Sequence, residues 1–522
     1  MKGLLSAVLL LACVTQILGY KILIVVPVPA RSHWILSKAQ ADILHEHGHE
    51  VTLISAHPSK EPVYREIGLT GLQKPDTFKA MSDSSSPRGS FGMVDASIMG
   101  TLRLLTTMGE ITATSMFNDE GVKKMLNDKN EKFDLVIIEH FMNDMLIGFG
   151  VKYNCPVIAS STTSVTHWIN RVSGNPTQVA EVPHFLSVFP SPMNLWQRAA
   201  NLAYNLFDDL FFTFVLKPSQ EGLYKQFFPE EAKKVSFSDL HKQVAFSFLN
   251  SHSSIGYPRP LLPNTVEVGG YHIKKAGKLP EDLQKLLDSK KEGVIFFSMG
   301  SNLKSSDLSI ELRSGLLKLF GTLKQTVLWK FEEDLPGKPD NVVISSWLPQ
   351  ASILAHPNLK AFITHGGLLS LTEASSAGIP LIVIPIYGDQ YHNAAAVVGR
   401  GQGVRLDYAN FTAESLNWAI GEILSNPKFV QNVNTIKQQF HDRPIDPREL
   451  INFYSEHVIR SGGAPHLSQK PLCIVSRLLL DVAVLFALPP LLLLILGCFV
   501  CRKLCNKTAS KKKTETDEKK KQ

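Results

Sequence analysis

Short apolar runs of strand length recur along this chain, and a helix-forming segment follows most of them. Residues 21–27 precede a helix-like stretch 35–46 that Gly48 stops, and 51–55, 133–139 and 156–160 continue the series. Runs that are apolar on both faces belong to parallel sheets, because crossover helices then cover both sides. The alternation breaks between Pro176 and Lys234, where aromatic and apolar helical segments such as 207–216 form an insertion expected over a cleft or against a membrane. It resumes beyond the proline-rich Tyr257-Pro-Arg-Pro-Leu-Leu-Pro263 with 293–298, 326–331, 342–345, 361–364, 380–386 and 404–406. The pattern predicts two α/β halves, each a parallel sheet flanked by helices.

At 522 residues the chain exceeds what one hydrophobic core usually serves. Its net charge of +7 sits at one end: from Arg502 onward nine Lys and Arg stand against three acidic residues, leaving +6 there and a body close to neutral. No nucleic-acid surface is indicated. Of six cysteines only Cys155 and Cys473 lie in the body, too few for a disulfide framework. Met1-Lys2 followed by the apolar stretch 4–18 has the pattern of a secretory leader that ends at Gly19. Residues 482–501 form an uncharged apolar run, ~20 residues being what a helix needs to cross ~30 Å of hydrocarbon, and Pro489-Pro490 predicts a kink in it. Arg502, Lys503 and the later lysines set the tail in the cytosol, which makes a single-pass type I protein with a lumenal body. Asn410-Phe-Thr412 is then a glycosylation sequon on the lumenal side, and Asn506-Lys-Thr508 is silent.

The densest chemistry lies in the second half, in Trp347-Leu-Pro-Gln350, Phe362-Ile-Thr-His-Gly-Gly367, Glu373 and Pro385-Ile-Tyr-Gly-Asp389-Gln390. His365-Gly366-Gly367 falls at a strand-to-helix junction, where unpaired helix N–H groups favour anions and glycines let the backbone approach a pyrophosphate. His365 can donate to a phosphate oxygen. Trp347 offers an indole face of the size needed to stack on uracil, and Gln350 an amide for a base edge or ribose. Together they read as a nucleotide-sugar site. In the first half, His33 lies in the loop past the first strand, and its ordinary pKa near ~6.5 suits it to take a proton from a hydroxyl.

The order of these residues resembles the signature of the UDP-glycosyltransferase family, and the whole chain is similar to its animal microsomal members, most of all insect UDP-glucosyltransferases and the UDP-glucuronosyltransferases. The resemblance implies that His33 deprotonates the acceptor and is oriented by an aspartate at the end of a later strand. Here the matching Phe133-Asp-Leu-Val-Ile-Ile-Glu139 supplies a glutamate. Glu139 is the aligned candidate; Asp144, five residues on, keeps the usual acid but equally fits the N-cap of a helix beginning near Met145. The same resemblance puts His365, Gly367 and Ser370 on the phosphates, Glu373 on the ribose hydroxyls, Asp389 and Gln390 on the sugar hydroxyls, and Ser301 in a turn that touches the nucleotide. No Asp-x-Asp motif occurs, so neither a metal nor a bound cofactor is expected; UDP-sugar is the co-substrate, and helix dipoles with His365 stabilise departing UDP.

The expected architecture is GT-B, two Rossmann-like domains facing across a cleft: 20–265 for the acceptor and 280–440 for UDP-sugar. A return segment 441–475, a transmembrane helix 482–501 and a cytosolic tail 502–522 follow. The tail's Lys519-Lys520-Lys521-Gln522 resembles a dilysine retrieval signal of the endoplasmic reticulum. The expected reaction is inverting hexosyl transfer, from UDP-glucose ahead of UDP-glucuronate, to hydroxyls of small lipophilic acceptors in conjugation or detoxification. The alternative is a lumenal nucleotide-sugar-binding regulatory subunit without catalysis, suggested by Glu139 in place of aspartate. Acceptor identity and homo- or hetero-oligomeric state stay open.

Overall fold

The computed structural model describes residues 19–72, 91, 98–274, 277–468, 474–477 and 479–519. The expected leader, Cys473 and the last three residues of the tail lie outside them. Strands β1 (Lys21–Val26), β2 (Glu50–Ser55), β3 (Arg65–Gly68), β4 (Leu135–Glu139), β5 (Val157–Ser161), β6 (Val244–Leu249) and β7 (Thr265–Glu267) form one sheet in the order β3-β2-β1-β4-β5-β6-β7. Strands β8 (Val294–Ser298), β9 (Thr326–Lys330), β10 (Val342–Ser345), β11 (Leu359–Thr364), β12 (Leu381–Val383) and β13 (Gly403–Arg405) form a second, in the order β10-β9-β8-β11-β12-β13. Every pairing between neighbours is parallel. Alternate residues of β1 feed different cores: Leu23 and Val25 pack toward Phe149 and Met116, Ile22 and Ile24 toward Leu36 and Leu44. Both faces of the sheet are therefore dry, as an apolar run without polar alternation requires.

Each sheet reverses its strand order beside its first strand, β1 lying between β2 and β4, and β8 between β9 and β11. Crossovers leave such a point on opposite faces and open a crevice at the carboxyl ends of the strands. In the first sheet that crevice receives His33 from beyond β1 and Glu139 from the end of β4. In the second it receives Ser301 from beyond β8 and His365 from beyond β11.

Both sheets belong to one compact unit, Met1–Ser468. The helix Pro447–Arg460 returns the chain from the second sheet to the first: Ile451 and Val458 enter the first core, Tyr454 stacks on Phe246 at 4.4 Å, and Arg448 Nη2 donates to Glu46 at 2.7 Å. The second unit, Gln469–Gln522, contains the helix Leu480–Lys519. Its stretch Leu480–Lys507, of mean hydropathy 2.7, is long and apolar enough to cross a membrane, and it continues through Pro489 and Pro490.

The insertion forms the helix Leu195–Phe211 and a π-turn Phe212–Leu216, which bury Phe211, Phe212 and Leu216 against Leu102, Met142, Trp168 and Phe185. Two local expectations are corrected. The first helix runs Arg31–Glu46, so His33 lies in its first turn and not in a preceding loop; Pro29 and Ala30 end the extended segment, and nothing between Arg31 and Ile35 resists helix. Asp144 is not an N-cap: it opens a 3-10 turn Asp144–Ile147 whose capping position is Asn143, and its carboxylate is turned to other partners.

Candidate active site

The first helix begins without a side-chain cap, and His33 faces β4 from its first turn. His33 Nδ1 is in hydrogen-bond contact with Glu139 Oε1. Thr162, just past β5, completes the cluster: its hydroxyl donates to Glu139 Oε1 at 3.2 Å and lies 3.2 Å from His33 Nδ1. Glu139 is 1% exposed, so its charge has little solvent to screen it. With Nδ1–H donated to the carboxylate, Nε2 carries the free lone pair and is the nitrogen able to take a proton. An edge-on aromatic series leads away from His33, through Phe141 at 5.0 Å and Trp168 to Phe185. An apolar wall rooted in the insertion thus borders the imidazole.

Asp144 serves a different pair. His140 Nε2 donates to its Oδ1 at 2.9 Å and His241 Nε2 to its Oδ2 at 2.7 Å. Burial works to raise this carboxyl, but the two imidazoles, His241 foremost, outweigh it and hold it well below the usual carboxylate range. The structure therefore brings Glu139 to His33 and ties Asp144 into a separate buried network.

At the second crevice the helix Leu368–Ala377 starts from Gly367 with no side-chain cap, so its first amides are open to an anion. A Cβ on Gly300 would come within 2.4 Å of the His365 ring, and one on Gly367 within 2.5 Å. Two glycines thus make the slot in which the imidazole sits. Burial lowers the His365 pKa to about 4, and the Lys330 ammonium adds to the effect. His365 is accordingly a neutral N–H donor in the unliganded protein. The Lys330 ammonium is itself paired with Glu332 at 2.9 Å.

Gln350 Nε2 donates to both Ser370 Oγ at 3.0 Å and Glu373 Oε2 at 2.7 Å. Both amide hydrogens are used, which leaves the Gln350 carbonyl oxygen for a ligand. Gln390 is engaged the other way, its Oε1 accepting from the backbone of Ile386 at 2.9 Å and Tyr387 at 3.1 Å. Asp389 accepts from Asn393 Nδ2 at 2.9 Å. Burial pushes its carboxyl above the usual range, while the Asn393 amide pulls it down. Ser301 is exposed in the turn after β8. Trp347 is 56% exposed, and the Arg31 guanidinium lies 4.7 Å from its ring centroid. Among the described residues no three His, Cys, Asp or Glu are grouped to hold a metal.

Thr162, Arg31 and Lys330 escape a reading of the sequence. Lys330 ends an apolar strand and could have been noticed as a cation at a strand's carboxyl end. Thr162 carries no local signal, because its partners are more than twenty residues away in sequence, and nothing near Arg31 announces its contact with Trp347.

Two parallel sheets that face each other with polar clusters at both switch points define a GT-B glycosyltransferase. The glycosyltransferase VinC in complex with DTDP superposes with a TM-score of 0.56 at 15% identity, over 85% of this chain and 100% of that one. Residues 21–515 match the family described as UDP-glucoronosyl and UDP-glucosyl transferase, and the chain belongs to that family. UDP-glucosyltransferase 2 of Dactylopius coccus is 31% identical over 93% of both chains. Human 2-hydroxyacylsphingosine 1-beta-galactosyltransferase is 30% identical over 94% of this chain and 90% of its own.

Proposed function

We propose that this glycosyltransferase moves a hexosyl group from a UDP-sugar to a hydroxyl of a small lipophilic acceptor, with inversion at the anomeric carbon. The observation that carries the reading is the His33–Glu139 contact at the first switch point, two residues along the same helix from Arg31, whose guanidinium lies 4.7 Å from the Trp347 ring of the other half. His33 Nε2 takes the acceptor proton as the oxygen attacks in line, and the imidazolium that forms is stabilised by the buried Glu139 carboxylate. Charge developing on UDP meets the amides of the Leu368 helix, the His365 N–H and the field of Lys330, without a metal ion. Uracil stacks on Trp347, Glu373 and Gln350 take the ribose, and Asp389 with Gln390 holds the sugar hydroxyls.

The aromatic wall of Phe141, Trp168 and Phe185 favours a flat apolar acceptor. UDP-glucose is the first choice of donor and UDP-glucuronate the second; relatives named for glucosyl and galactosyl transfer match about equally well. We place the body in the lumen of the endoplasmic reticulum, anchored by Leu480–Lys507. The test is a panel of UDP-glucose, UDP-galactose and UDP-glucuronate against phenols, with products weighed by mass spectrometry. The reading expects addition of one hexosyl mass with release of UDP in proportion to acceptor. UDP binding without turnover on any acceptor favours the regulatory alternative, and UDP release that ignores the acceptor contradicts transfer to an acceptor hydroxyl.

A further inference from the structure

His272 lies in the connection from β7 to the second half, and its side chain is 2% exposed. Neither of its ring nitrogens has a hydrogen-bond partner. Buried polar groups are nearly always paired, so an imidazole orphaned at both nitrogens calls for a reason. A carboxylate stands close by: Glu373 Oε1 is 3.7 Å from His272 Nε2, just beyond hydrogen-bond range. The other Glu373 oxygen is already taken by Gln350. What is left is an acceptor, Glu373 Oε1, beside a potential donor, His272 Nε2. A hydroxyl satisfies both at once, because it donates to a carboxylate and accepts from an N–H. An oxygen ~2.8 Å from each atom fits beside a pair at this separation.

We infer that His272 is a nucleotide-binding residue: its Nε2–H donates to a ribose hydroxyl that itself donates to Glu373 Oε1. The inference rests on the reading that UDP occupies the Trp347–Glu373 region, and it adds a contact from the connection between the two sheets. Binding of the ribose would then pair the orphaned nitrogen and fix that connection against the donor half.

The test is calorimetric titration of the full-length, detergent-solubilised protein and of His272→Ala and His272→Gln with UDP, 2′-deoxy-UDP and 3′-deoxy-UDP. His272→Ala is expected to weaken UDP binding by on the order of tenfold, the size of one lost hydrogen bond in a buried site. For one of the two deoxy nucleotides, wild type and His272→Ala should agree within about twofold, since the partner hydroxyl is already gone. His272→Gln, which keeps an N–H donor, should recover part of the loss and carries the comparison if the alanine variant does not fold. Equal weakening of all three nucleotides, or unchanged UDP affinity, overturns the inference. A wild type that binds no UDP refutes the donor site itself, a different failure.

Discussion

Glu139 and Asp144 are both buried acids near the end of β4, and what separates them is the partner each one holds. Glu139 faces the imidazole of the first switch point, so Glu139→Gln should leave UDP affinity within about twofold and lower acceptor-dependent turnover by roughly a hundredfold, because a neutral amide cannot stabilise an imidazolium. Asp144 accepts from two histidines and an asparagine could accept from only one, so Asp144→Asn should act on stability, costing about 3–5 kcal/mol in denaturant unfolding. The sign with pH follows from its depressed pKa. Folded Asp144 stays ionised where the unfolded carboxyl, near ~3.9, has taken a proton, so its contribution is present above that value and is lost as pH falls further. Asp144→Asn should therefore flatten the acid limb of the stability profile. Loss of turnover in Asp144→Asn at wild-type stability, with Glu139→Gln tolerated, would reverse the two roles.

At the scale of elements, the strand-to-helix junctions do most of the work, and the glycines at the second one are spaced by the His365 ring. Gly367 has φ of −63°, which alanine adopts freely, so Gly367→Ala introduces only a methyl 2.5 Å from His365 Nε2. The imidazole must swing away, and UDP affinity should fall about tenfold or more with little change in melting temperature; unchanged affinity would remove His365 from the phosphate site. The central strands were legible because sheets buried on both faces demand unbroken apolar runs: β1, β4, β5, β8 and β9 all show them. Strands β3 and β7 lie at sheet edges, are short and half-buried, and give no such signal. β6 carries the same apolar run as β5 but follows the helical insertion, where the alternation that identifies its neighbours is broken. Trp347, Gln350, His365 and Glu373 were legible as a set because they fall within one β-α-β-α stretch. Arg31 and Thr162 were not, since their contacts with Trp347 and Glu139 form only when distant segments meet.

For the whole molecule the questions are which compartment the body occupies and whether its two halves act as one catalyst. Asn410 is exposed at the end of a short 3-10 turn, accessible to a glycan. If the body is lumenal, endoglycosidase treatment should shift the mass of the wild type and leave Asn410→Gln unaffected; a wild type that lacks the shift when expressed in microsomes would contradict the orientation. The proposed joint action of the halves rests on His33, in the first turn of the helix after β1, acting on a sugar held by the second half. The most direct measurement is acceptor-dependent UDP release by wild type and His33→Ala, with UDP affinity titrated on both. The account predicts that turnover falls by two or more orders of magnitude, the usual size of a general-base contribution, while UDP binds as before. Near-wild-type turnover in His33→Ala would contradict it.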